Sequence, residues 1–220
     1  MPGEILICTD ILPYDTDQTR IKYQIVAIAR GEQAMGAGVI PFAVSDGKVY
    51  FLFQTTFSGR KAGHLIDFGG GLGVGEDYRE TAIREFIEET ETMYFSDDVQ
   101  QASRTVERIR NQIPIIEALF DETLVAHPEW WCRRAPGNPL RPKLWQTFFI
   151  EFPYRDIEVL NREWEADKVG RFKKRRELFW VTAGELLAIY EHTPDRLWKR
   201  VRQLENATET VRSILQIKEC

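Results

Sequence analysis

Six glutamates, Glu76, Glu80, Glu85, Glu88, Glu89 and Glu91, crowd the segment GEDYRETAIREFIEETETMYF, Gly75 to Phe95. At about 100° per residue, Glu85, Glu88 and Glu89 share one side of a helix. Ile83, Phe86 and Ile87 fall on the other side and can anchor that helix to a core. Carboxylates three and four residues apart repel, by about 0.2–0.5 kcal/mol per pair. Arg84 is the nearby cation, and it stands beside the carboxylates rather than among them. A hard divalent ion would remove the repulsion, because Mg²⁺ takes carboxylate oxygens together with waters and substrate phosphates. On spacing alone two readings stand: a solvated acidic face, and a metal-binding face turned to a cleft.

The residues before the helix add to the second reading. GGGLGVG, Gly69 to Gly75, is a glycine-rich turn that lets backbone approach a ligand closely, and a glycine carbonyl could supply a further oxygen. The full pattern runs Gly70, five residues, Glu76, seven residues, then Arg84-Glu85-Phe86-Ile87-Glu88-Glu89. It resembles the signature of the Nudix hydrolases: G, five of any, E, seven of any, R-E-hydrophobic-any-E-E-any-G-hydrophobic. The resemblance spans residues 70–92. Two positions depart from it, with Glu91 where the family has glycine and Thr92 where it has an apolar residue. Glutamate at 91 favours continuing the helix through Tyr94.

The resemblance implies an α+β fold, a Nudix-like α/β/α sandwich with a mixed sheet. It implies hydrolysis of a diphosphate linkage in a nucleoside diphosphate derivative such as ADP-ribose or another nucleotide sugar, with Mg²⁺ or Mn²⁺ as cofactor. Glu85, Glu88 and Glu89 would bind the metal, joined by a carbonyl of Gly69 or Gly70. Glu76 and Arg84 would brace the loop and helix by ion pairing. Glu89 is the first choice for the general base. Glu151, Glu163 and Glu165 are the alternatives, each of which reads more readily as an ordinary surface glutamate. Nucleoside triphosphates, dinucleoside polyphosphates and RNA 5′ ends remain open as substrates. A nucleotide-binding module without turnover is the rival reading, and it does not require all three helix carboxylates.

The elements that must position these groups have their own sequence signals. KYQIVAIA, Lys22 to Ala29, reads as a first strand. Ala37 to Val44 and Lys48 to Phe57 read as a hairpin about the SDG turn. His64 to Phe68 is a short strand leading into the glycines. The helix starts at Asp77, with Glu80 completing a capping box. Leu144 to Phe152 and Glu177 to Val181 are strands. An insert over about residues 95–143 is too long for a plain loop. Its SRTVERIRNQIPIIEALFDETLVA is helical in parts, broken near Pro114, and its HPEWWCRRAPGNPLRPK is irregular. C-terminal helices occupy about 183–216. One of them runs from Thr193 as cap and Pro194 at the first position, with an apolar stripe of Leu197, Val201, Leu204, Val211 and Leu215. The whole reads as one domain over 1–220.

The remaining signals bound the function. A net charge of −5 argues against nucleic acid as the main partner, so a small nucleotide is expected. Two basic clusters could grip phosphates: Lys168, Arg171, Lys173, Lys174, Arg175 and Arg176, and Arg133, Arg134, Arg141 and Lys143. Trp130 and Trp131 are candidates for a site wall, and Trp145 reads as core. Cys8, Cys132 and Cys220 are dispersed, without metal or disulfide spacing. MPGEILICTD does not read as a signal peptide, and no apolar run is long enough for a bilayer, so a cytoplasmic setting is expected. The last helix offers a homodimer contact, although its stripe is better explained by packing on its own domain.

Overall fold

The computed structural model describes residues 35–135, 144–173 and 175–219. The predicted strand Lys22–Ala29, together with Cys8, Cys220, Arg141, Lys143 and Lys174, lies outside the described residues. β1 (Met35–Ser45) and β2 (Lys48–Thr56) form the expected hairpin. Its two turn residues, Asp46 (φ 50°) and Gly47 (φ 71°), are both left-handed, the geometry that matches the twist of the paired strands. β1 then has to serve two partners on one edge. Phe42–Ser45 pair with β2, while Gly36–Val39 pair with β3 (Phe68–Gly71). β2 diverges to pair with a later strand, and the glycine strand enters the gap. The predicted strand at His64–Phe68 is realised as isolated bridges at Leu65 and Ile66, with regular pairing beginning only at Phe68.

The acidic helix, α1 (Tyr78–Glu89), has the predicted capping box between Asp77 and Glu80. It does not continue through Tyr94, a correction to the sequence expectation. Thr90 caps it, Glu91 (φ 53°) and Thr92 (φ 62°) turn left-handed, and two amides fold back: Glu91 N–H to the Glu88 carbonyl and Thr92 N–H to the Ile87 carbonyl. These are the paired bonds of a Schellman motif, made here without glycine.

The insert contains α2 (Val106–Ala126), one helix of 21 residues that runs straight through Pro114. A proline inside a helix costs about 3 kcal/mol. The helix persists because Gln112, Ile116, Phe120 and Thr123 form a buried stripe on both sides of it. After it, β4 (Trp131–Arg133) adds an edge strand where irregular chain was expected, antiparallel to β5 (Leu144–Glu151). β5 lies parallel to β1 along its whole length. α3 (Glu158–Ala166) leads to β6 (Arg176–Thr182), which closes the sheet against β2, and α4 (Ala183–His192) follows.

The predicted long C-terminal helix is broken. It comprises a short 3₁₀ turn at Pro194–Arg196, where Thr193 makes no side-chain cap bond, then α5 (Lys199–Arg202) and α6 (Ala207–Lys218). Between α5 and α6 the backbone bonds to the edge of β4 instead: Ala135 N–H to the Gln203 carbonyl, and Glu205 N–H to the Arg133 carbonyl, both 2.7 Å. Asn206, left-handed at φ 59°, restarts the helix.

Among the described residues the sheet runs β4-β5-β1-β2-β6, with β3 beside β1. The architecture is α+β, a mixed sheet with helices on both faces. One face packs Ala37, Val39, Leu52, Phe148 and Leu178 against α1, α2 and α3. The other packs Ile40, Phe42, Phe51 and Phe149 against α4, α5 and α6. Leu197, Val201, Leu204 and Val211 are buried there, so that stripe is spent within its own unit.

Candidate functional site

Two carboxylates of α1, Glu85 and Glu89, meet the glycine strand, while Glu88 is held by arginines beside it. Glu85 is buried, and its carboxylate lies directly on Gly70. A Cβ at position 70 would stand 2.1 Å from Glu85 Oε1, so only glycine leaves room for the acid. Arg84 Nη1 reaches Glu85 Oε1 at 2.9 Å and Glu88 Oε1 at 3.4 Å. Arg104, arriving from the chain before α2, pairs with Glu88 and stands 4.0 Å from Glu91.

Arg84 also faces Glu76 with both edges of its guanidinium, Nε at 2.6 Å and Nη2 at 2.9 Å. Gly73 N–H and Thr81 Oγ1 donate to the same Glu76 carboxylate at 2.8 Å each, which ties the glycine loop to the helix. Burial pushes the Glu76 carboxyl up, but the hydrogen bond and charge of Arg84, with Gly73 and Thr81, hold it below the usual carboxylate range.

Glu89 is tied to three elements of the fold. Gly69 N–H (2.8 Å) and Gln54 Nε2 (2.6 Å) donate to its Oε2. Arg176 Nη2 donates to its Oε1 at 2.9 Å, while Arg176 Nη1 donates to Gln54 Oε1. Burial raises the Glu89 carboxyl, yet the charges of Arg176, Arg200 and Lys61 and the Gly69 amide bring it below its ordinary value. Lys61 is lowered in turn, by burial first and then by the charge of Arg200.

A second carboxylate lies behind the same strand. Asp67 is fully buried and paired with Arg200, whose Nε and Nη2 stand 2.7 Å and 2.6 Å from Oδ1. Arg200 also donates to the Gly69 carbonyl at 3.2 Å and stacks 4.0 Å over the ring of Trp145. Gly69 thus links the two carboxylates, its N–H on Glu89 and its C=O on Arg200.

Of the residues expected from the sequence, Arg84 links Glu76, Glu85 and Glu88, while Glu85 meets Gly70 and Glu89 meets Gly69. The structure does not bring Glu151 to them. In the β1–β5 register Glu151 pairs with Phe42, whereas Gly70 pairs with Ala37. That separation of five residues is about 17 Å along β1. Glu151 is instead bonded to Lys218 at 2.7 Å. Glu163 pairs with Arg171 at 2.7 Å, and Glu165 is exposed on α3. Trp130, a candidate site wall, belongs to the core. It packs edge-on to Phe42 at 5.5 Å and flat on His127 at 3.7 Å.

Gln54, Asp67, Arg176 and Arg200 were not singled out as site residues from the sequence. Arg176 appeared only as one member of a basic cluster. The available signal was local: Arg176 and Gln54 alternate in phase with buried Leu178 and Leu52, and Asp67 interrupts an apolar strand.

The donors fit a hard divalent ion in kind, as carboxylate oxygens of one helix face beside the peptide groups of Gly69 and Gly70. The seat that Gly70 leaves for Glu85 holds one of those donors against the strand. With the arginines in place, however, no three His, Cys, Asp or Glu side chains among the described residues are gathered closely enough to hold an ion. No helix of the described residues is long and apolar enough to cross a membrane.

Comparison with known proteins gives structural similarity alone. No family model matches the chain, and no curated protein matches it. An Ap4A hydrolase of C. elegans, solved as a binary complex, is similar at TM-score 0.42 and 14% identity, covering 84% of this chain and 96% of that one. A bifunctional NMN adenylyltransferase/ADP ribose pyrophosphatase from Francisella tularensis is similar at TM-score 0.45 and 12% identity, over 93% of this chain and 47% of that one. A mutT/nudix family protein from Listeria innocua gives TM-score 0.36 and 14% identity, over 70% and 82%.

Proposed function

We propose that this chain is a Nudix-type pyrophosphohydrolase that cleaves the diphosphate linkage of a nucleoside diphosphate derivative, such as ADP-ribose or another nucleotide sugar. One observation carries the proposal: Glu85 and Glu89, on the helix face they share with Glu88, meet the glycine strand at Gly70 and Gly69, and Gly70 leaves the room that the Glu85 carboxylate fills. Glu85, Glu88 and Glu89 would hold Mg²⁺ or Mn²⁺, with a carbonyl of Gly69 or Gly70. When bound, such an ion neutralises phosphate oxygens and activates water. Glu76 and Arg84 keep the loop and helix in register, and Glu89 takes the proton of the attacking water. The new bond joins the water oxygen to phosphorus, and the anhydride P–O bond breaks.

A nucleotide-binding module without turnover is favoured by a different observation, that Glu85, Glu88 and Glu89 already hold guanidinium partners. A panel of ADP-ribose, other nucleotide sugars, nucleoside triphosphates, dinucleoside polyphosphates and 5′-triphosphate RNA, each with Mg²⁺ or Mn²⁺, separates the two. The hydrolase reading expects turnover of one class, reduced at least about 100-fold by Glu89→Gln. Ligand-induced stabilisation without turnover of any class would favour the module instead.

A further inference from the structure

Resting on that reading, we propose that Arg176 is an exchange residue: it neutralises Glu89 in the free chain and passes its guanidinium to a phosphate oxygen of the diphosphate when a divalent cation takes the carboxylate.

The geometry divides the two oxygens of Glu89 between two kinds of partner. Oε2 is held by the Gly69 amide and by Gln54, which are uncharged and stay with the sheet. Oε1 is held by Arg176. Loss of Arg176 therefore uncovers one oxygen while the other keeps the carboxylate oriented.

Arg176 itself is under-used. It is 6% exposed, and among the described residues its Nε has no hydrogen-bond partner. Buried guanidinium groups ordinarily satisfy their donors. Its neighbours also set the direction of the exchange. Lys61 and Arg200 lie within electrostatic reach of the same carboxylate. Once another cation takes the charge of Glu89, Arg176, Arg200 and Lys61 face one another, and Asp67 is already committed to Arg200. An anion is then needed, and a planar guanidinium fork matches phosphate oxygens. The same exchange makes bare metal binding weak, because Arg176 competes for Oε1.

The test is a Mn²⁺ titration followed by electron paramagnetic resonance, on wild type, Arg176→Met, Arg176→Lys and Glu89→Gln. Imidodiphosphate, a non-hydrolysable diphosphate, is then titrated at saturating Mn²⁺. Arg176→Met is expected to bind Mn²⁺ at least about tenfold tighter than wild type without the anion, and imidodiphosphate at least about tenfold more weakly. Arg176→Lys keeps the charge but loses the fork, and shifts in the same two directions by about threefold. It carries the test if circular dichroism shows that Arg176→Met does not fold. Unchanged or weaker Mn²⁺ binding in the Arg176 variants, with Glu89→Gln still impaired, overturns the exchange and leaves the metal site standing. Equal Mn²⁺ affinity in wild type and Glu89→Gln overturns the metal reading, and the exchange with it.

Discussion

Asp67 and Glu89 are carboxylates on opposite faces of one glycine strand, the first fully buried and the second partly so, and each is held by an arginine from the C-terminal part of the chain. Their environments differ. Asp67 Oδ1 takes two donors of Arg200, Oδ2 accepts from Thr147 at 3.4 Å, and the guanidinium is pinned flat on Trp145. Glu89 shares Arg176 with Gln54, and Arg176 keeps an unpartnered donor. A closed buried pair resists exchange, because removing either member strands a charge in a low-dielectric interior. A pair with redundant ties on one oxygen and an unused donor on its partner can change partners. The first is a structural lock, and the second is suited to a ligand.

The largest expected effect tests that contrast directly. Asp67→Ala should destabilise the protein by about 3–5 kcal/mol in urea unfolding, since Arg200 is left buried without its acid. Glu89→Ala leaves Arg176 bonded to Gln54 and should cost less, about 1–3 kcal/mol. Equal losses would break the comparison.

Gly70→Ala comes next. Its Cβ meets the Glu85 carboxylate, so a loss of about 1–3 kcal/mol is expected from overpacking. Gly38→Ala places a Cβ 2.6 Å from Asp67 Oδ2 and probes the other face. If the two faces are distinct, Gly70→Ala should impair Mn²⁺ binding more than Gly38→Ala does at matched stability.

A smaller effect concerns the end of α1. Glu91→Gly and Glu91→Ala both remove the carboxylate, but only glycine accepts φ 53° without strain. Glu91→Gly should therefore be more stable than Glu91→Ala by about 1 kcal/mol. Equal melting temperatures would mean that the turn relaxes in the alanine variant.

The smallest effect is in the pH dependence. The Glu76 carboxyl is lower in the folded chain than in the unfolded one, so its contribution is complete above the unfolded value of about 4.5 and is lost as pH falls through the folded value. The stability gap between wild type and Glu76→Gln should be under about 1 kcal/mol at neutral pH and narrow below pH about 4.5. A gap that widens on acidification would reverse the sign.

Much of the acidic side was legible because its determinants are local. Helical spacing groups Glu85, Glu88 and Glu89, the Asp77–Glu80 box starts the helix, and the SDG turn sets the hairpin. The end of α1 was misread because left-handed backbone at Glu91 runs against its intrinsic preference and is imposed by the folded-back amides. Pro114 was misread as a break for a related reason, since burial on both sides outweighs one missing hydrogen bond. The C-terminal helix was read as continuous because only tertiary contact with β4 draws its middle out of helical bonding.

What the sequence by itself determined is the acidic face: three carboxylates on one side of a helix, a glycine strand beside it, and Glu76–Arg84 to fasten the two. These follow from periodicity and short-range spacing. The identity of the counter-charges was decided only in three dimensions. Arg176 and Arg200 lie 87 and 131 residues from the groups they hold, Glu89 and Gly69. Their choice of partner depends on sheet order, on the gap that β3 fills beside β1, and on burial strong enough to demand that every charge find an opposite.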